Sequence, residues 1–227
     1  MLNEIIFISF FIILCCINLI VFRYWKAYVF VLIAIYIILM NIFVTKQFYL
    51  FGLAVTWWNA LYGAIFLLTD LLSEHHWKRE AQKAVLIWFL SMFLFVISTQ
   101  VLIFYTPNEF DYTHDALTTL FWITPRILLW SLLAYYIAQN INVYLYEKIK
   151  IFTWWKYLFL RNNWSTLISQ AIDTLIFTFV WLTTIWNFAW VIELDYFWHV
   201  AIATYIIKIL ITLIDTPFIY LSHKFKK

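Results

Sequence analysis

Apolar residues along this chain gather into seven long runs separated by short polar connections. The runs occupy roughly 5–22, 27–44, 53–72, 84–105, 117–146, 164–192 and 197–221. A helix needs about 20 mostly apolar residues to cross the hydrocarbon core of a bilayer. The pattern therefore predicts an all-α fold, a bundle of seven transmembrane helices. The longest connection, about 147–163, is too short for an inserted domain, so we expect a single transmembrane domain over 1–227.

The composition agrees with a membrane protein. Hydrophobic residues make up 66% of the chain and charged residues 12%, whereas soluble domains have about 45–50% and about 25%. Disorder, a basic nucleic-acid-binding face and a disulfide scaffold are excluded; the adjacent Cys15 and Cys16 suit neither a metal site nor an ordinary disulfide. Because Glu4 rather than a basic segment precedes the first run, we expect a membrane span there and not a cleaved signal peptide.

The basic residues predict the orientation. Lys and Arg group at 23–26, 78–83, 148–161 and 224–227, which lie on one side if the chain crosses seven times. The opposite side carries mainly acidic residues, in 4, 109–115 and 193–195. The positive-inside rule then places the N-terminus outside and the C-terminus in the cytoplasm.

Several charged residues fall inside the runs. Arg126, Asp173 and Lys208 each lie about 14–15 Å deep, near the midplane. Asp70 and Asp215 lie closer to the cytoplasmic side. Each unpaired charge at such a depth costs roughly 2.5–3.5 kcal/mol. We therefore expect these residues to face one another or a wet cavity.

Helical spacing supports a shared polar interior. Stripes of polar and aromatic residues run along four predicted helices: Asn59, Tyr62, Phe66, Asp70 and Glu74; Ser131, Tyr135, Gln139 and Asn142; Thr166, Ser169, Gln170 and Asp173; Tyr205, Lys208, Thr212 and Asp215. Arg126 points away from its stripe on a straight helix, and whether Pro125 kinks that helix stays open.

Two interpretations of the buried charges remain. Ion pairs can simply hold helices together, but three ionisable residues at one depth on three helices favour a functional cavity. No nucleophile with a base, zinc spacing or phosphate-binding loop occurs, so neither an enzyme nor a cofactor is expected.

Four segments, in order, resemble one known family. They are "GAIFLLTDLLSEHHWKREAQKAV" (63–85), "PRILLWSLLAYYIAQNINV" (125–143), "LRNNWSTLISQAIDT" (160–174) and "YIIKILITLIDTPFIYL" (205–221). The third, similar to R-N-x-x-S-T-x-x-S-Q-x-x-D, is the most specific. The chain resembles the queuosine precursor transporters, also called the vitamin uptake transporter family, over nearly its whole length. Trp58 and Trp77 stand where that family usually has Gly, and Asn142 where it often has Asp.

The resemblance implies import of a 7-deazaguanine, namely preQ0, preQ1 or queuine, across a bacterial inner membrane. Asp173 would accept the N1–H and exocyclic amine of the base, and Arg126 and Lys208 would balance its charge. Amides would bind the carbonyl oxygen and other ring positions, and an aromatic ring would stack on the base. The expected substrate-binding residues are Asp173, Gln170, Arg126, Lys208, Gln139, Asn140, Tyr205, Asn59 and Asp70. Tyr205 is also a candidate for the stacking ring, and the other two candidates are Tyr136 and Phe66.

Two alternatives stay open. A substrate-binding subunit would need a separate energising ATPase, docked at the basic loop Lys148–Arg161, because the chain has no ATP-binding loop. A retinal-type seven-helix protein would use Lys208 as a Schiff base, and absorbance after addition of retinal would reveal it. The expected partners are the small-molecule substrate and the lipid bilayer, with an energising module left open; no nucleic-acid partner is expected.

Overall fold

Helices dominate the computed structural model. It describes residues 2–24, 26–43, 46–76, 78–122, 124–154, 156–185 and 194–225. The elements are α1 Leu2–Tyr24, α2 Lys26–Ile42, β1 Gln47–Leu50, β2 Leu53–Thr56, α3 Asn59–His76, α4 Lys78–Phe104, α5 His114–Phe121, α6 Thr124–Phe152, α7 Leu158–Ile185 and α8 Leu194–Ser222, followed by a 3-10 turn at His223–Phe225.

The helices differ in length and in how apolar they are. Among the described residues, three are long and apolar enough to cross a membrane, namely Leu2–Tyr24, Arg79–Phe104 and Phe197–Ser222; Lys26–Ile42 is apolar but shorter. Their outward faces expose large apolar side chains such as Ile5, Leu94 and Ile202, as a lipid-facing surface requires. The prediction of a helical membrane protein is confirmed, while the seven crossings and their orientation stay predictions.

Two of the predicted runs have different starts in the structure. The third was expected to begin at 53, but 53–56 form β2, and α3 begins at Asn59. The fifth is divided into α5 and α6, and Pro125 is the second residue of α6. Proline in a first turn loses no intrahelical hydrogen bond, so Pro125 starts this helix and does not kink it. The end of the sixth run, at 186–192, lies outside the described residues.

A β-hairpin closes one end of the bundle. Phe51 and Gly52 form its two-residue turn with φ of 52° and 79°, the left-handed geometry that matches the twist of paired strands. The Phe51 amide donates to Glu4 Oε1 at 3.1 Å, and Asn3 Nδ2 donates to the Tyr49 carbonyl at 3.0 Å. These bonds tie the hairpin to the start of α1.

The segment between α4 and α5 is polar and exposed. Asp111 Oδ1 accepts bonds from the Thr113 hydroxyl at 2.9 Å, the Thr113 amide at 3.0 Å and the His114 amide at 3.1 Å. These bonds, that of the Thr113 hydroxyl foremost, hold the pKa of Asp111 below its usual range. A charged carboxylate at the start of α5 also suits the positive end of the helix dipole.

Helix α3 is the centre of the bundle. Every residue from Asn59 to Glu74 is buried, because α1, α2, α4, α6 and α8 all pack against it. Gly63 allows the close approach: a Cβ there would overlap the Ile211 side chain of α8 and press on the Phe11 ring of α1. The polar residues of α3 therefore face other helices and not lipid.

Gly63→Val is expected to lower the free energy of unfolding by about 1–3 kcal/mol, the usual cost of overpacking. Ile211→Ala removes the side chain that the new Cβ would overlap, at its own cavity cost of about 2–5 kcal/mol. Thermal melting in detergent of both single variants and the double variant measures the coupling. The double variant should be more stable than the sum of the singles predicts; strict additivity would contradict the close contact.

Candidate functional site

An ion pair between α7 and α8 lies in the centre of the protein. Lys208 Nζ donates to Asp173 Oδ2 at 2.6 Å, and the two side chains are 1% and 5% exposed. The two residues that the sequence placed at one depth thus contact each other directly. Charges are tolerated inside a membrane protein when they pair in this way.

Aromatic rings surround the lysine end of the pair. Lys208 Nζ lies 4.6 Å from the centre of the Tyr62 ring and 5.6 Å from that of Trp58, within the range of cation–π attraction. The Tyr135 ring lies 5.6 Å from Tyr62 and stacks on Trp88 at 3.9 Å. Helices α3, α4 and α6 thus supply an aromatic wall beside the ion pair.

Several polar atoms around this wall are buried without a hydrogen-bond partner among the described residues. They include two hydroxyls, an indole N–H and two amide oxygens: Tyr62 Oη, Tyr135 Oη, Trp58 Nε1, Gln139 Oε1 and Gln170 Oε1. Gln170 lies one helical turn before Asp173, and Gln139 one turn after Tyr135. Because buried polar groups are normally satisfied, this group of unmet donors and acceptors marks a candidate site for a polar ligand.

The site is closed in this structure. Asp173, Lys208, Gln139, Gln170 and Tyr62 are all almost inaccessible to solvent. A ligand can reach them only after the helices around them separate.

Other predicted site residues lie differently. Asn140 Nδ2 donates to its own helix at the Tyr136 carbonyl, 2.8 Å away. The Tyr136 side chain is 49% exposed, so it faces away from the ion pair and the prediction that it stacks on substrate is not supported. The hydroxyl of the half-buried Tyr205 donates to the Leu167 carbonyl at 3.2 Å. The Arg126 side chain lies outside what the structure describes, although its backbone lies in the first turn of α6.

Two predicted residues on α3 already have partners of their own, and a third packs beside the wall. Asn59 Nδ2 donates to the Thr56 carbonyl at 2.9 Å, while its Oδ1 has no partner among the described residues. Phe66 is fully buried beside Tyr62, with ring centres 4.9 Å apart. Asp70 accepts a bond from Asn142 Nδ2 at 2.9 Å. It lies about 12 Å along α3 from Tyr62, at 1.5 Å per residue, and so belongs to a separate polar cluster.

Comparison with known proteins identifies the family. A family model described as "Putative vitamin uptake transporter" matches residues 56–222. A protein of Bacillus subtilis (strain 168) named "Probable queuosine precursor transporter" is 38% identical over 185 residues, which cover 81% of this chain and 78% of that protein. The chain belongs to the vitamin uptake transporter family. It is a transporter and not an enzyme. No solved structure matched the chain.

Two positions at which the sequence resemblance predicts a departure from the family pattern lie in polar clusters of this vitamin uptake transporter. Trp58 is buried between Tyr62 and Phe177, with ring centres 5.2 and 5.4 Å away, and faces Lys208. Asn142 donates to Asp70, which a carboxylate at that position would instead repel. The third departure, Trp77, lies outside the described residues.

A network around Glu74 joins α3, α6 and α7 in this transporter. Arg161 Nε donates to Glu74 Oε2 at 3.0 Å, and its Nη2 donates to Oε1. Lys150 Nζ lies 3.7 Å from Oε2, the Tyr146 hydroxyl donates to the same oxygen at 3.0 Å, and His223 Nε2 lies 3.3 Å from Oε1. The C-terminal turn is thereby held against the helix bundle.

This network corrects the interpretation of the basic loop. Lys150 and Arg161 were expected on a cytoplasmic basic loop over 147–163 that sets the topology and, for the alternative function, offers a candidate docking surface. They are 3% and 2% exposed, because α6 continues to Phe152 and α7 begins at Leu158. The sequence signals for this network were Asp70 and Glu74 one turn apart on α3, and Tyr146 and Lys150 one turn apart on α6.

Glu74→Gln is expected to lower the free energy of unfolding by about 3–5 kcal/mol, because it leaves two buried cations without their carboxylate. Glu80→Gln is the matched control. Glu80 pairs at 3.0 and 2.9 Å with Lys26 and Lys83, whose side chains are 41% and 52% exposed, so its loss should cost less than about 1 kcal/mol. Thermal melting in detergent compares the two, and equal losses would contradict a structural role for the Glu74 network.

Proposed function

We propose that this transporter imports 7-deazaguanine precursors of queuosine, namely preQ0, preQ1 or queuine, into the cytoplasm. The observation that carries the proposal is the buried Asp173–Lys208 pair among polar side chains that lack partners. The name of the Bacillus subtilis relative supplies the substrate class.

The chemistry of the base matches this set of side chains. The guanine-like edge presents N1–H and an exocyclic amine, a donor pair that one carboxylate accepts with both oxygens. Asp173 is the carboxylate in this site, and Lys208 balances its charge from the other side. The amide oxygens of Gln170 and Gln139, which have no partner among the described residues, are available to accept hydrogen bonds from donor positions of the base, whereas the Gln139 amide N–H group already donates to the Thr69 hydroxyl.

Aromatic contacts supply the rest of the binding energy. Tyr62 and Trp58 flank the lysine and present ring faces to the same region, which suits stacking with a planar base. Phe66, buried behind Tyr62, supports this wall. Tyr205 and Asn140 lie on the edges of the site, and for them, Arg126 and Asn59 a substrate contact stays a prediction.

The expected setting is a bacterial inner membrane crossed seven times, with the N-terminus outside. This topology puts the hairpin at the outer end, next to Glu4, and the Glu74 network at the cytoplasmic end. Import then requires the outer end to open first and the Glu74 end to open afterwards.

A second candidate function is a substrate-binding subunit that is driven by a separate ATPase. The burial of Lys150 and Arg161 removes part of the docking surface expected for such a partner. The same central site would serve either function, and reconstitution of the chain alone distinguishes them, because only an autonomous transporter moves substrate without the partner.

Asp173→Asn is expected to reduce uptake by about 100-fold, since two charge-assisted hydrogen bonds worth about 1.5 kcal/mol each are lost. The measurement uses cells that cannot make queuosine precursors, supplied with preQ0, preQ1 or queuine, with queuosine in tRNA as the readout. Asp115→Asn, on the exposed start of α5, is the matched control and should behave as wild type. If these cells, when they express the wild-type protein in the membrane, make no queuosine from any of the three precursors, the result counts against the proposal.

Tyr62→Phe and Tyr135→Phe are expected to reduce uptake without loss of stability. The Tyr135 hydroxyl has no hydrogen-bond partner among the described residues, and the Tyr62 hydroxyl interacts with the Asp173 carboxylate without reaching good hydrogen-bond geometry, so the melting temperature should change little. Tyr36→Phe is the opposite control: its hydroxyl donates to Asn18 Oδ1 at 3.0 Å, so it should lose about 1 kcal/mol and keep its uptake. If both site variants transported normally, these hydroxyls would not contact substrate.

A further inference from the structure

We propose that Asp70 and Asp215 together bind a monovalent cation, H⁺ or Na⁺, whose inward movement drives substrate accumulation. The inference rests on the transport function proposed above. It assigns to Asp70 a role other than direct substrate contact.

The first argument is charge. Among the described side chains of the bundle interior, the cations are already committed: Lys208 to Asp173, and Lys150 and Arg161 to Glu74. Asp70 and Asp215 are each only 1% exposed, and the described residues offer neither of them a cationic partner. An uncompensated anion in a membrane interior is expensive, and two in one cluster are more so.

Arg126 lies too far along α6 to be the cationic partner of Asp70. Its backbone lies about 24 Å along α6 from Asn142, the residue of that helix that bonds to Asp70, at 1.5 Å per residue. That separation exceeds the reach of any side chain.

The second argument is the kind of neighbours that the carboxylates have. Asp70 accepts bonds from Asn142 Nδ2 at 2.9 Å and from the Thr166 hydroxyl at 3.2 Å. Asp215 has a single long contact among the described residues, 3.4 Å from Asn162 Nδ2. Carboxylate, hydroxyl and amide oxygens are the ligands that a hard cation prefers. The carboxylates can instead take up a proton, which the neighbouring hydroxyl and amide oxygens can stabilise by accepting a hydrogen bond.

The third argument is independent of the carboxylates. Asn162 is fully buried, and its Oδ1 atom has no hydrogen-bond partner in the described structure. The same amide group contacts Asp215 and, at 3.3 Å, the Thr216 hydroxyl. An unmet acceptor on that amide, beside the uncompensated carboxylate of Asp215 and one turn from Thr166, which bonds to Asp70, points to a missing positive ligand.

Other titratable and charged groups face the pair from α1, α3 and α6, with further ones on α7 and the C-terminal turn. They are Cys15 of α1, Glu74 of α3, Tyr135 and Tyr146 of α6, and beyond Glu74 its partners Lys150, Arg161 and His223. Among the described residues, the ionised groups that act on the pair are mainly Glu74, which acts on Asp70, and Asp70, which acts on Asp215. The surroundings therefore favour uptake of positive charge.

The position of the pair explains how a cation could act on the substrate site. Three helices contribute to both sites, each through residues about two turns apart: Asp70 and Tyr62 on α3, Thr166 and Asp173 on α7, Asp215 and Lys208 on α8. A change in charge at the pair alters how these helices pack, and the same helices open or close the substrate site. The two ligands are thereby linked through a shared element, as energetic coupling requires.

Cation binding is tested first without substrate. The melting temperature of the purified protein in detergent is measured with Na⁺ replaced by choline at constant pH, and separately across a pH series at constant Na⁺. The wild type should be more stable with Na⁺ if Na⁺ is the ligand, or at lower pH if H⁺ is, because a ligand bound only by the folded state stabilises it. Asp70→Asn and Asp215→Asn should lose that dependence, while Asp115→Asn keeps it.

Coupling between cation entry and substrate uptake is then tested with the protein reconstituted into liposomes, with preQ1 as the probe. Two measurements are made: exchange of preQ1 at equilibrium, and accumulation under an inward H⁺ or Na⁺ gradient. A tenfold gradient supports up to about tenfold accumulation at one-to-one coupling. Asp215→Asn and Asp70→Asn should keep exchange but reach a concentration ratio of about one, whereas Asp115→Asn should accumulate as wild type does.

The outcomes separate the two proposals. Accumulation by both variants equal to wild type, or melting that depends on neither cation in the wild type, overturns the cation site. If the wild type does not exchange preQ1, the assay is repeated with preQ0 and queuine. Failure with all three overturns the substrate assignment instead, and the melting measurements still decide the cation site.

Discussion

The cost of charge inside a membrane is the constraint on which this structure depends. Asp173 offsets this cost by pairing with Lys208, and Glu74 does so by pairing with Arg161 and Lys150. Each of these pairs joins different helices, so neutralising the charges also fixes which helices are neighbours. A buried pair is poor evidence for net stability, since two well-packed apolar residues can do as well. Their retention here is better explained by what they specify, namely a register between helices and a polar interior.

The same constraint decides which helices can face lipid and which must be interior. Helices α1, α2 and α4 are mostly apolar and expose large apolar side chains, so they can face lipid directly. Helices α3, α6 and α7 carry the residues that cannot, and α3 is surrounded by the others on every side. Gly63 makes this burial feasible, because it lets α8 approach α3 closely enough for Lys208 to lie over the Tyr62 ring. The polar residues are therefore interior for a packing reason as well as an electrostatic one.

The three polar clusters form a series along the same helices. The Asp173–Lys208 site comes first, the Asp70–Asp215 pair about two turns on, and the Glu74 network one further turn along α3. Such a series suits alternating access, in which binding at one level changes packing at the next. The central cluster retains unmet hydrogen-bonding groups, whereas the carboxylate of the Glu74 network is bonded to several partners at once. The proposed ligand site and the Glu74 network thus differ in whether their polar groups already have partners.

The sequence by itself determined the membrane class, the approximate positions of most long helices and the common level at which Asp173 and Lys208 meet, because each depends on local composition and on a fixed rise per residue. It also carried the motifs by which the family is recognised. Only the tertiary structure decided which charge meets which. Periodicity defines the face of a helix but not the neighbour of that face, so Arg161 could be placed near a helix end but not beside Glu74. The hairpin at 47–56 and the start of α6 at Thr124 were likewise decided by turn geometry and by helix packing, which a run of apolar residues does not encode.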